Sequence, residues 1–272
     1  MRSAPFKAVV LAGERPGGGV LARELGIAAG VLADVAGQPC LARVLTALRG
    51  SDAVAGGVVC GPAADVLSAA PALQALLAAG DYRWLAPATG PAASALAASR
   101  EAGGHPLLLT GGDHALLEPA MVDAFCTAAC AAAQANHLDL VVGLVPYDIV
   151  AAAFPQSRRT VLRFADGGFC GSNLFALLTP ESGRALAFWS GVEADRKRPW
   201  RIARRLGALT LARYLSGRLT APAAFAVLSD RAGCRIGFVE VPYPRAAVDV
   251  DSHADWMLAN QLLAADAGRC AP

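Results

Sequence analysis

The sequence predicts an α/β fold: a mostly parallel sheet with helices on both faces. Three observations carry that expectation. Short apolar runs alternate with longer helical patterns through the first half of the chain, the arrangement that builds parallel sheets by crossover connections. The first run, Phe6 to Leu11, empties into a glycine-rich loop. The run beginning LLLT at Leu107 breaks at Gly111 and Gly112 and presents Asp113 and His114, as expected of a buried strand that delivers a carboxylate to the ligand-binding edge of an open sheet.

In order, Phe6–Leu11 reads as a buried first strand and Leu41–Leu48 as a helix. Gly57–Cys60 follows as a strand, Ala63–Ala79 as a helix, Arg83–Ala86 as a strand and Ala92–Ser99 as a helix, before the strand at Leu107. Beyond Leu138–Val145, another strand, the pattern becomes β-rich at Thr160–Phe164 and Ser172–Leu177. Helices at Glu181–Trp189 and Trp200–Leu215 and a late strand at Arg235–Val241 complete the chain. This second half reads as a mixed region, at about 146–235, that would bind an acceptor, and nothing separates it from the rest as a second domain. The expectation is one domain over residues 1–272.

Composition narrows the function. The chain has 272 residues, 55% of them apolar, yet charges, prolines and glycines interrupt every stretch before the roughly 20 residues a membrane span needs. No long apolar segment follows Arg2 and Lys7, so the reading is a cytoplasmic chain with no membrane insertion. A formal charge of +2 gives no general reason to expect nucleic acid. The seven cysteines lack the paired spacing of a zinc site and read as small apolar residues.

Three segments carry candidate chemistry. Leu11-Ala12-Gly13-Glu14-Arg15 opens the loop after the first strand, where successive glycines let backbone N–H groups converge on an anion and Arg15 adds a cationic fork. The loop is neither GxxxxGK[ST] nor GxGxxG, which excludes the usual P-loop and Rossmann readings. Asp113 is either a magnesium ligand or the cap of a helix starting at Ala115. Asp249-Val250-Asp251 places two carboxylates on one side if extended, followed by Ser252 as a helix cap. A basic run, Arg196-Lys197-Arg198, and a smaller group, Arg158, Arg159 and Arg163, are candidates for binding phosphate.

The ordered set of a strand running into LAG, then Val35-Ala36-Gly37-Gln38-Pro39, then TGGDH and finally DVDS resembles the MobA-like nucleotidyltransferases. The resemblance extends from about Lys7 to Leu263. It implies a three-layer, Rossmann-like (GT-A-like) fold and transfer of a nucleoside monophosphate from a nucleoside triphosphate (NTP) to a phosphorylated small acceptor, such as a sugar phosphate, with release of pyrophosphate. It further implies that Leu11, Ala12, Gly13, Glu14, Arg15, Gly90, Ser94 and Gly112 hold the nucleotide. Asp113 and Asp249 would bind Mg2+ or Mn2+, with Asp251 as a supporting or alternate ligand. Arg15, Asp113 and Asp249 would be the catalytic groups. Asn173, in Gly171-Ser172-Asn173, would line the acceptor pocket with Lys197 and Arg198.

One departure stands out. The family pattern places a lysine shortly before VAGxP, and this chain has Gly30 there. Losing such a phosphate contact costs on the order of 2–4 kcal/mol of transition-state stabilisation, a rate loss of roughly 30-fold to 1000-fold. Two other functions therefore stay open: a catalytically decayed nucleotide-binding or regulatory protein, and a metal-dependent glycosyltransferase in which Asp249-Val250-Asp251 serves as a DxD motif.

Overall fold

The computed structural model of the chain describes residues 5–14, 18–194 and 207–270. In chain order the elements are β1 (Phe6–Leu11), α1 (Val20–Leu25), a 3-10 turn (Gly30–Leu32), β2 (Asp34–Val35), β3 (Gln38–Pro39), α2 (Cys40–Arg49) and β4 (Val54–Cys60). Next come α3 (Ala64–Ser68), α4 (Pro71–Ala79), β5 (Tyr82–Leu85), α5 (Pro91–Ala102), β6 (Leu107–Gly111) and α6 (Pro119–Asn136). The rest are β7 (Leu140–Pro146), α7 (Tyr147–Ala153), β8 (Leu162–Phe164), β9 (Gly167–Leu177), α8 (Ser182–Ala194), α9 (Ala208–Leu215), α10 (Ala221–Ala232), β10 (Ile236–Glu240), a second 3-10 turn (Pro244–Ala247) and α11 (His253–Cys270).

The main sheet runs β10-β7-β9-β6-β1-β4-β5, with β8 paired to β9. β5, β4, β1 and β6 are mutually parallel, as are β7 and β10. β9 runs antiparallel between β6 and β7 and joins the two parallel sets into one mixed, mostly parallel sheet. The expected fold class is the observed one. Because β9 is reversed, its early residues lie at the same edge as the carboxyl ends of β1 and β6.

Helices cover both faces. One face packs Leu41, Val44, Leu45 and Leu48 of α2 and Met121, Val122 and Phe125 of α6 against the sheet, all buried. The other packs Ala95, Ala98 and Ala102 of α5 and Ala185 and Leu186 of α8; the alanines bring α5 close to the strands. Ala8, Val9 and Val10 of β1 are wholly buried, as a central strand requires.

Two local expectations change and a third holds without strand pairing. The helix expected over Ala63–Ala79 is two, because Pro71 opens α4 after Ala70 leaves the helical region. β9 is longer than Ser172–Leu177, extending back to Gly167 through its pairing with β8. Residues 248–251 form no ladder, yet Val248 and Val250 are buried while Asp249 is half-buried and Asp251 exposed, so the alternation expected of an extended segment holds. Of the seven cysteines, six are free thiols packed in or beside the core; only the backbone of the seventh, Cys270, is described.

Candidate nucleotide and cation site

The site is built at the carboxyl edge of β1 and β6, where the strand order spreads to either side of β1. Two crossing hydrogen bonds shape its floor: Ala12 N–H donates to the Cys60 carbonyl at 2.8 Å, and Gly112 N–H to the Leu11 carbonyl at 2.8 Å. Ala12 and Gly112 thus spend their donors within the sheet edge, where both are buried. Close packing explains the glycines. A Cβ at Gly112 would lie 3.1 Å from Ala12 and 3.2 Å from Leu41, and one at Gly111 would collide with the Asp113 carboxylate. The two glycines leave room for the Asp113 side chain to fold back over Gly111 and for Ala12 and Leu41 to pack on Gly112.

Asp113 does not cap a helix. α6 begins at Pro119 behind Glu118, and Asp113 starts a turn in which its carbonyl accepts from Ala115 N–H at 2.9 Å. The same carbonyl accepts from Val250 N–H at 3.0 Å. That bond ties the mid-chain turn to the tail between its two acids. Burial, then the neighbouring Asp251 and Asp249 carboxylates, push the Asp113 carboxyl up to about 7. His114, beside it in sequence, faces the other way: it is fully buried next to the Arg245 and Ala246 backbone, and burial lowers its pKa to about 4.

Asp249 is held on both oxygens. Oδ2 accepts from Asn173 Nδ2 at 3.4 Å and Oδ1 faces Arg159 Nη1 at 3.4 Å. Asn173 sits at φ 52°, a left-handed conformation that asparagine tolerates better than most residues, where the β7–β9 register shifts between Val142 and Leu144. The bulge aims its amide at the carboxylate. Ser252 caps α11: its hydroxyl accepts from Asp255 N–H at 3.3 Å and pairs with Asp255 Oδ2 at 2.5 Å.

The first loop carries an unexpected carboxylate contact. Glu14 Oε2 accepts from Gly30 N–H at 2.6 Å, so an acid stands beside the position where the lysine is missing. A Cβ on Gly30 would meet only that oxygen, at 3.6 Å. Gly13 packs against Pro87, which a Cβ on the glycine would approach to 3.0 Å, so the Pro87–Ser94 segment starts beside the loop. There the Ser94 hydroxyl accepts from Ala88 N–H at 3.0 Å. Glu193, from the end of α8, accepts from Ala92 N–H at 3.1 Å, and a Cβ at Gly90 would lie 2.9 Å from its other oxygen.

The structure thus gathers Leu11, Ala12, Gly13, Glu14 and Gly112 with Asp113, Asp249, Asp251 and Asn173 along one edge, and the segment that carries Gly90 and the buried Ser94 starts beside Gly13 at Pro87. Arg15, Lys197 and Arg198 lie outside the described residues. Among the described residues, no set of three or more His, Cys, Asp or Glu side chains is arranged to hold a metal ion by itself. Of the smaller basic group, Arg158 and Arg163 are exposed while Arg159 turns inward onto the carboxylates. That turn and the Glu193 contact had no sequence signal, since their partners lie 90 and 101 residues away.

A profile of the MobA-like NTP transferase domain matches residues 8–187. No curated protein matches the sequence. Among solved structures, a hypothetical transferase from Thermus thermophilus is 28% identical, covering 93% of this chain and 100% of its own at a TM-score of 0.76. A nucleotidyl transferase from Methanothermobacter thermautotrophicus is 19% identical over 97% of this chain and 100% of its own, with a TM-score of 0.54. CMP:2-keto-3-deoxy-manno-octonic acid synthetase, solved with CTP, is 14% identical over 97% of this chain and 100% of its own, with a TM-score of 0.58. At these lower identities the likeness is one of fold.

Proposed function

The chain belongs to the MobA-like NTP transferase domain family, and from that premise we propose that it moves a nucleoside monophosphate from an NTP to a phosphorylated small acceptor and releases pyrophosphate. The observation that carries the reading is the convergence of Asp249 and Asp251 on Asp113 at the sheet edge facing the first loop. A carboxyl raised by burial first and then by two neighbouring carboxylates is a place where a cation would be stabilised. Its donors are all oxygen, which suits Mg2+ or Mn2+.

Asp113 and Asp249 would hold the cation, with Asp251 as support and the substrate phosphates completing its shell. When bound, it supplies charge neutralisation to the phosphates and aligns them for in-line attack. The protein's own part is positioning. The loop from Leu11 to Glu14 frames the phosphates, Gly90 and Ser94 border the base and ribose, and Asn173 fixes Asp249 while lining the acceptor side. Arg15, Lys197 and Arg198 are the proposed phosphate-binding cations.

The test is to incubate the protein with each of the four NTPs, magnesium and a panel of sugar 1-phosphates, and to measure pyrophosphate. Turnover with at least one pair, lost on Asp113→Ala, supports the proposal; turnover unchanged by that substitution overturns it. One observation favours a second reading, a nucleotide-binding protein with decayed catalysis: Gly30 replaces the lysine and the Glu14 carboxylate lies against it. That reading predicts NTP binding by calorimetry without pyrophosphate from any acceptor.

A further inference from the structure

The Arg159 side chain is only 7% exposed, yet it is surrounded by acids. Nη2 lies 2.6 Å from Asp255 Oδ1 and Nη1 lies 3.4 Å from Asp249 Oδ1, while Nε donates to the Ser157 hydroxyl at 3.0 Å. The short Nη2 contact lacks hydrogen-bond geometry, so the guanidinium meets Asp255 as a charge more than as a directional donor. The Val250 N–H bond to the Asp113 carbonyl at 3.0 Å holds the residue next to Asp249 against Asp113, and with burial the Asp251 and Asp249 carboxylates raise the Asp113 carboxyl. Asp249 is thus a carboxylate shared between two positions suited to positive charge. One lies toward Asp113, and Arg159 fills the other.

A carboxylate flanked by two cation positions is the plan of a two-metal phosphoryl-transfer centre. We infer that in this chain Arg159 is a positioning residue that takes the second of those positions, bridging Asp249 and Asp255 so that a divalent ion enters only between Asp113 and Asp249. This inference rests on the cation role proposed above. A guanidinium keeps its charge at any pH the protein experiences, and burying it is unfavourable unless its partners are fixed. They are fixed here: Asp255 is tied to the Ser252 cap and Asp249 to Asn173. The long contact to Asp249 and the short one to Asp255 anchor the arginine on the second acid. Asp249 keeps its orientation without being consumed.

Removing the guanidinium leaves Asp249 and Asp255 as an uncompensated pair open to a second ion. The experiment counts bound Mn2+, by calorimetry and by the electron paramagnetic resonance of free Mn2+, in the wild-type chain and in Arg159→Lys, Arg159→Ala and Arg159→Met. Arg159→Met keeps the buried stem should Arg159→Ala fail to fold. The expected count is one for the wild type and for Arg159→Lys and two for the uncharged variants, returning to one when Asp255→Asn is added. Two ions in the wild type, or one in an uncharged variant that retains its fold by circular dichroism, overturns the inference alone. No Mn2+ bound to the wild type, with or without an NTP, overturns the cation site and the inference together.

Discussion

Asp113 is the residue on which sequence, packing and chemistry meet, and the fold holds it at a cost. Its carboxyl is raised from its ordinary 3.8 to about 7, so between those values the folded chain binds more protons than the unfolded one. Stability contributed by this group therefore falls as pH rises through that window. Asp113→Asn removes the effect: by chemical denaturation without divalent ions, the variant should exceed the wild type by about 1–3 kcal/mol at pH 8. The two should converge below pH 4. An advantage that does not grow between pH 4 and 7 contradicts the assignment. Gly30 gives a second prediction. A lysine there fits sterically, but its ammonium lies within reach of Glu14 and would pair with it. Gly30→Lys alone should leave NTP affinity, measured by calorimetry, within about threefold. Combined with Glu14→Gln it should tighten binding about tenfold, the scale of one charge-assisted phosphate contact.

At the scale of the element, β9 does the most for the site. Reversed between β6 and β7 and bulged where its pairing with β7 shifts, it delivers Asn173 where a regular strand would have aimed it elsewhere. Backbone and side-chain contributions separate by substitution. Asn173→Gly suits φ 52° and should unfold within about 0.5 kcal/mol of the wild type, whereas Asn173→Ala should cost about 1 kcal/mol, because alanine keeps the Cβ in the left-handed region without the polar side chain that lets asparagine adopt it. Both lose the Asp249 contact, so both should weaken Mn2+ binding to a similar degree. A stability loss from Gly as large as that from Ala contradicts the conformational account. The sequence made the early strands legible because burial on both faces writes itself as an unbroken apolar run, as at Ala8–Leu11 and Leu107–Leu109. It did not reveal the bulge, whose cause is a pairing shift between distant strands. Nor did it foresee the break at Ala70, where an apolar pattern continued through a proline that the backbone could not follow.

For the whole molecule, the topology is what turns three separated segments into one edge. The loop after β1 and the Asp113 turn after β6 are neighbours because β1 and β6 pair from Lys7–Leu107 to Leu11–Gly111. The tail acids join them through the Val250–Asp113 bond. The tail is braced on both sides. Arg245 pairs with Asp266 at 2.5 Å and with Glu118 at 3.1 Å, and α11 pins the β2–β3 hairpin through Trp256 to the Asp34 carbonyl at 2.5 Å and Asn260 to Ala36 N–H at 2.9 Å. Asp113 and Asp249 were singled out by the ordered TGGDH and DVDS segments and the family they resemble, since a glycine pair before an acid or two alternating acids alone also suit a helix cap or a solvated edge. Arg159 and Glu193 were not, because an arginine or glutamate in a loop or helix end looks the same whether it faces solvent or a charge brought there by the sheet.

The most direct measurement is anomalous diffraction from crystals grown with Mn2+ and a triphosphate blocked at the α,β bridge. The account predicts one manganese peak bonded to carboxylate oxygens of both Asp113 and Asp249 and to the triphosphate, with Arg159 still on Asp255. A peak that contacts only one of the two aspartates, or triphosphate bound away from the Leu11–Glu14 loop, contradicts it.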